Sequence, residues 1–370
     1  MTESSFPDDF PRTARLLDTI VRPEGRIRPV EQREELFDRV IDDRFFSRLY
    51  RYLKGLNLTL SDWAGEAWRR HVIRIAVNRA EMKRIFPALR DRGVRAAVMK
   101  GEPLSRQIYG SPHLRSSADI DLLVVSAARC EAGEVLSTQL GYEQVSQYLP
   151  WASNQIRYLH SERSTVVEIH WLMESPHVPV PSTERVLRER AKVECGDLVV
   201  PVLPPPFDFL GLCYHFHRHR GGFKNLLDIA GWLDRFASEM NWGELFEITD
   251  RLGVNGIVAW PLRTLDRFLG SSTLSRAPYS GDVATGLLAR WTAGRLRRRF
   301  VELAEPAISE DTAAWKLRRL AESVFRMGAL DGLAQKLTGM LRPVFLGPHP
   351  FGRTVGPLIQ RAGGRTVDCT

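Results

Sequence analysis

Val98-Met-Lys-Gly101, followed by Arg115-Ser-Ser-Ala-Asp-Ile-Asp-Leu-Leu-Val124, is the stretch that decides how this chain is read. The apolar run Ala96-Ala-Val98 follows a glycine and reads as a short buried strand, and Ile120 to Val125 reads as a second. Between them Gly101 to Tyr109 has the pattern of a short helix. Side chains alternate along a strand, so Asp119 and Asp121 share one face about 7 Å apart. Two carboxylates so placed repel one another unless a cation lies between them. A hard divalent ion such as Mg²⁺ or Mn²⁺ prefers such oxygens and keeps positions open for water and phosphate. The apolar Leu122-Leu-Val-Val125 behind them anchors the pair in a core.

A third acid is expected from a neighbouring strand, and Thr165-Val-Val-Glu-Ile-His170 supplies it. Its β-branched residues make it the clearest strand after 140. Alternation puts Glu168 and His170 on one face and Val167 and Ile169 on the other. Glu168 beside Asp119 and Asp121 completes a carboxylate triad. Its role is either general base toward an acceptor hydroxyl or ligand to a metal.

Around this centre the period changes. Residues 31–93 repeat apolar positions at helical spacing, and Ser61 is a plausible N-cap for a long second helix. Further strands are predicted at 142–145, 154–160 and 164–171, with a helix at 127–140 and an extended pair near 193–202. Pro204-Pro-Pro206 marks a boundary, since proline suits the first turn of a following helix. Helical pattern then runs from 207 to about 341, and the remainder is rich in Gly, Pro and Arg. The expected division is a helical segment at 1–93, an α/β core with linker at 94–203, a helical domain at 204–345 and an irregular tail at 346–370.

Composition narrows the class. With 370 residues, 44% hydrophobic content and nine tryptophans the chain is no disordered tail. It carries no uncharged apolar run long enough for a transmembrane helix, and its polar, acidic start lacks the apolar stretch of a signal peptide. Four scattered cysteines form no CxxC pair, and unpaired thiols in the cytoplasm are the simplest expectation. The net charge of +8 favours anionic partners, nucleotides among them, without excluding nucleic acid.

Lys-Gly at 100–101, Tyr109-Gly110, Arg115, Asp119-Ile-Asp-Leu-Leu-Val124 and Glu168-Ile-His-Trp171 together resemble the bacterial "uncharacterised nucleotidyltransferase" family, within the superfamily that shares the polymerase-β type core. The resemblance spans roughly 60–345. It implies an α+β fold: a small mixed-sheet core flanked by N-terminal helices and a C-terminal helical domain. It also implies metal-dependent transfer of a nucleoside monophosphate from a nucleoside triphosphate to an unidentified acceptor, with Asp119, Asp121 and Glu168 as catalytic and metal residues. Lys100, Gly101 and Arg115 then bind the nucleotide phosphates. The chain departs from the superfamily at the first turn, where Lys100-Gly-Glu102 replaces Gly-Ser. That departure keeps two alternatives open on the same scaffold. One is sugar transfer from a nucleotide-sugar in peptide or polysaccharide tailoring, and the other is a non-catalytic, antitoxin-like nucleotide-binding module.

Further on, His215, His217 and His219 cannot all ligate one ion, because i and i+2 point to opposite sides of a helix. His215 or His219 is a candidate substrate contact instead. His170 orients Glu168, fills the site wall or acts as a catalytic base, and is a candidate substrate contact. Lys224 and Asp228, one helical turn apart, either pair with each other or face the cleft. The sequence leaves the acceptor open between small molecule, peptide and glycan.

Overall fold

The protein is described here by a computed structural model, which covers residues 11–42, 45–146, 153–270 and 283–303. The expected helices at 312–326 and 330–341, and the tail, lie outside these residues.

Twelve α-helices and seven strands are formed among them. Helices α1 (Pro11–Val21), α2 (Val30–Asp42), α3 (Phe46–Gly55) and α4 (Asp62–Asp91) precede the sheet. The N-terminal stretch is thus more helical than its sparse apolar pattern suggests, because α1 buries Leu16, Leu17, Ile20 and Val21 against later helices. Ser61 occupies the N-cap position of α4 but does not cap it. Its hydroxyl donates to Glu34 at 3.2 Å instead.

The strands are β1 (Ala96–Val98), β2 (Ile120–Val124), β3 (Glu143–Gln144), β4 (Gln155–His160), β5 (Thr165–His170), β6 (Ala191–Cys195) and β7 (Leu198–Val202). They form one mixed sheet in the order β3-β4-β5-β2-β1-β7-β6. β2 runs antiparallel to β1 and parallel to β5, and β5 runs antiparallel to β4. The parallel neighbours need a long connection, which α6 (Arg129–Glu134) and the β3–β4 hairpin provide.

The two faces of the sheet have different neighbours. Ile120, Leu122 and Val124 of β2 and Val167 and Ile169 of β5 pack with Met82, Ile85 and Leu89 of α4. On the opposite face Ala97, Met99 and Leu123 join a larger core. It is built with α5 (Gly101–Tyr109), α8 (Pro205–Arg218), α9 (Phe223–Phe236) and α11 (Asn255–Leu269). Asp121, Glu168 and His170 lie on this second face, toward the helices that follow the sheet. The sheet also reaches them through α7 (Thr183–Arg188), and α10 (Trp242–Leu252) and α12 (Val283–Leu296) complete the helical part.

Cys195 and Cys213 are free and buried, and burial pushes the Cys195 thiol up to about 12. None of the described helices is long and apolar enough to cross a membrane.

One buried acid in the helical core makes stability depend on pH. Asp208, in the first turn of α8, is 5% exposed and accepts a hydrogen bond from Trp232 Nε1 at 3.2 Å. Burial raises its pKa to about 7. The folded state therefore holds a proton that the unfolded chain releases near pH 4. Stability from this group is complete below about pH 4 and lost as pH rises through 7. Asp208→Asn keeps an acceptor for Trp232 and cannot ionise. It should flatten the fall in unfolding midpoint between pH 5 and 8, and gain up to about 4 kcal/mol at pH 8. Denaturant titrations at both pH values check this.

Candidate functional site

Pairing register assembles the site. Asp121 of β2 lies directly opposite Glu168 of β5, and Glu168 lies opposite Arg157 of β4. One row therefore crosses three strands as Arg157, Glu168, Asp121. The next row brings Gln155 opposite His170 and His170 opposite Leu123. Directly opposed side chains in a sheet lie within contact distance, so the two carboxylates are forced together by the backbone itself.

Charge neutralisation holds them there. Asp121 is 5% exposed, and Lys100 Nζ lies 3.2 Å from its Oδ2. His170 Nε2 lies 3.0 Å from Asp121 Oδ1 and 3.4 Å from Glu168 Oε2. Burial alone would raise both acids. Lys100 and the His170 hydrogen bond outweigh it at Asp121 and keep that carboxylate ionised. At Glu168 the His170 hydrogen bond, with the charges of His170 and Arg157, brings the pKa down to about 2. Burial disfavours a charged His170, but its hydrogen bonds to both acids prevail and raise its pKa. Its other ring nitrogen, Nδ1, is buried with no hydrogen-bond partner.

Asp121, Glu168 and His170 each offer a ligand atom within 4.8 Å of the others. Asp119, half-buried at the mouth of β2, belongs to the same field without joining that group. Burial and then the charge of Asp121 raise its pKa, with Glu168 adding to the effect. The charges of Lys100 and Lys224 offset part of that rise. The donor set of carboxylates and an imidazole suits Mn²⁺ or Mg²⁺ better than a thiolate-seeking metal.

The turn before α5 supplies the next wall. Gly101 has φ +77°, a conformation that L side chains rarely adopt, and a Cβ there would lie 3.6 Å from Ser117 Oγ. Ser117, 8% exposed, donates to the Asp119 carbonyl at 2.9 Å. A serine hydroxyl is thus present beside the glycine turn, although it comes from the loop before β2. The string Arg115-Ser-Ser-Ala-Asp119 carries that serine, but spacing alone does not bring it to Gly101. Glu102 faces away, held by Arg79 Nε at 2.9 Å and Arg106 Nε at 2.8 Å. Lys100 and Gly101 are therefore free of the acid that follows them.

Helices α8 and α9 form the facing wall. The rings of His215 and His219 lie 4.3 Å apart, and the Lys100 and Lys224 charges reach both. Burial, then those neighbouring cations, keep both imidazoles neutral at physiological pH. His217 lies on the other side of α8, buried against Trp260. Lys224 is half-buried, and burial followed by the charge of Arg115 lowers its pKa well below the usual lysine range.

Arg115, expected as a phosphate ligand, lies in the interior on Asp228. It is 2% exposed, and its Nε donates to Asp228 Oδ2 at 3.0 Å. Arg48 Nη1 lies 2.8 Å from Asp228 Oδ1. Asp228 thus pairs with two arginines and not with Lys224. Arg48 comes from α3, a partner 180 residues away that no local spacing reveals. The loop between α5 and β2 is tied down as well, by Ser47 Oγ donating to the Leu114 carbonyl at 3.2 Å. Gln155 and Arg157 were also invisible in sequence, because strand pairing alone makes them neighbours of Glu168.

A buried two-carboxylate centre on a small mixed sheet, beside a glycine turn and beneath cationic helices, has the form of a nucleotidyltransferase. A family model described as "Uncharacterised nucleotidyltransferase" matches residues 31–270, and the chain belongs to that family. No curated protein matches it.

Proposed function

We propose that the protein transfers a nucleoside monophosphate from a nucleoside triphosphate to a nucleophilic acceptor, using a divalent cation held by Asp119, Asp121 and Glu168. The observation that carries this reading is the in-register pair Asp121 and Glu168, buried together with His170 so that each offers a ligand atom within 4.8 Å of the others. When bound, Mg²⁺ or Mn²⁺ would neutralise phosphate charge and polarise the reacting phosphoryl group.

The chain's own groups divide the remaining work. Lys100 and the Gly101 backbone supply donors at the N-terminus of α5, where anions are favoured. Lys224, His215 and His219 supply further donors from the opposite wall, with neutral imidazole N–H groups and one amine. Such donors suit a polyphosphate chain running between them. Arg115 stays a buried strut for the loop and makes no phosphate contact. Glu168, held ionised at about 2, is a poor proton acceptor and a good cation ligand, which favours the ligand role over general base.

The test is incubation with each of four nucleoside triphosphates, and in parallel with nucleotide-sugars, plus Mn²⁺, in the presence of extracts of small molecules, peptides and glycans. Pyrophosphate release is read together with product mass. A gain of one nucleoside monophosphate supports the reading. A gain of one hexose from a nucleotide-sugar, with no pyrophosphate, replaces it by glycosyl transfer. Failure of Mn²⁺ and every nucleotide to raise the unfolding midpoint removes the catalytic reading.

A further inference from the structure

One oxygen of Glu168 is already fully engaged. A carboxylate offers about four lone-pair positions. Arg157 directs both Nε, at 2.8 Å, and Nη2 to Oε1. Oε2 accepts from Gln155 Nε2 at 2.7 Å and faces His170 Nε2 at 3.4 Å. Oε1, with both Arg157 groups on it, has no capacity left for a cation unless Arg157 leaves, whereas Oε2 keeps one position. Asp121 differs, since only His170 and Lys100 engage it and each oxygen keeps capacity.

The three partners of Glu168 are not equally free to go. The His170 side chain is 1% exposed. Gln155 is half-buried and also accepts from Arg218 Nη1, at 3.5 Å, from α8. Arg218 in turn is fixed by both oxygens of Glu174 at 3.1 Å. The Arg157 side chain is 48% exposed, and Glu168 is its ion-pair partner. Only the guanidinium end of this pair meets water, so on release it recovers hydration while the other partners of Glu168 stay in place.

We propose that Arg157 is a built-in occupant of the cation site, whose guanidinium neutralises Glu168 until a divalent cation arrives and then leaves the carboxylate to it. This rests on the cation reading of the site given above. It makes Arg157 a positioning residue that competes with the cation. In the row Arg157, Glu168, Asp121 with Lys100 at its far end, each of the two adjacent acids has a base on its outer side, which offsets their repulsion. Once displaced, the guanidinium stands at the rim, available to an anionic group of the substrate.

Two variants of the full chain, Arg157→Gln and Arg157→Lys, test it with Mn²⁺ as the only added probe. Metal-free Arg157→Gln should unfold about 2–4 °C below the parent, having lost the cation opposite a buried acid. At saturating Mn²⁺ the two midpoints should coincide. Titration calorimetry should show Mn²⁺ binding tightened by about tenfold. Arg157→Lys keeps charge but cannot direct two N–H groups at one oxygen, and should fall between. If the midpoint gap persists undiminished at saturating Mn²⁺, or binding is no tighter in Arg157→Gln, Arg157 does not compete and the proposal is overturned. If the parent and both variants bind no Mn²⁺, the cation reading falls and takes the proposal with it.

Discussion

Asp121→Asn should abolish Mn²⁺ binding and reduce nucleotidyl transfer by about 10³-fold or more. The expectation comes from the charge around one oxygen pair. Asp121 is the acid that both Lys100 and His170 contact, at 3.2 and 3.0 Å. Amide substitution leaves those cations beside Glu168, which already has Arg157, and the half-buried Asp119. The centre becomes net positive, and a divalent ion is repelled where it was attracted. Several kcal/mol of transition-state stabilisation go with the cation, and each 1.36 kcal/mol is tenfold in rate. Asparagine has the same shape, so the β2–β5 pairing should survive and circular dichroism should be unchanged. Asp119→Asn should be milder. It removes a carboxylate that the others repel, so the metal-free protein should be as stable as the parent while Mn²⁺ binding weakens. Transfer at the parent rate by Asp121→Asn would sink the proposed chemistry.

The part of this site that one strand fixes was readable without a fold. Period-2 alternation puts Asp119 and Asp121 on one face, and Glu168 and His170 on one face, and the sheet obeys it because each strand packs its other face against α4. Glycine at 101 was readable for a related reason, since a strand entering a helix at positive φ needs it. The pairing of β2 with β5 was a guess from pattern, as nothing local encodes which strands become neighbours. Gln155 and Arg157 were missed for that reason: they enter the site only through β4's register with β5. Arg48 and Asp228 lie further beyond reach. An arginine in α3 and an aspartate in α9 read alike as solvated helix residues until tertiary packing buries both. Arginine-rich helices make this worse, because most of their guanidinia do face water.

Asp228→Ala should cost about 3–5 kcal/mol of stability, the largest loss expected from one substitution outside the apolar core. Asp228 has no exposed surface, and neither has Arg48; Arg115 keeps 2%. Burial alone would raise the Asp228 carboxyl, but Arg115 and then Arg48 hold it ionised. Removing it leaves two guanidinium groups in the interior with no anion. The remaining partners are neutral: Arg48 donates to Tyr109 Oη at 3.0 Å, and Tyr109 donates to the Leu227 carbonyl at 2.9 Å. The damage should also be specific. Arg115 anchors the loop that carries Ser117 and Asp119, and α9 packs on Tyr109 so closely that a Cβ at Gly231 would meet its ring at 2.6 Å. Loss of Asp228 therefore loosens the junction of α3, α5 and α9 at the back of the site. Denaturant unfolding at pH 7 measures the first effect, and hydrogen exchange across residues 111–119 measures the second. The sign with pH follows from the depressed carboxyl. Its contribution is present above about pH 4 and lost as pH falls, so parent and Asp228→Ala should converge in stability toward acid. A variant as stable as the parent at pH 7, or a gap that widens toward acid, would contradict the buried charge pair.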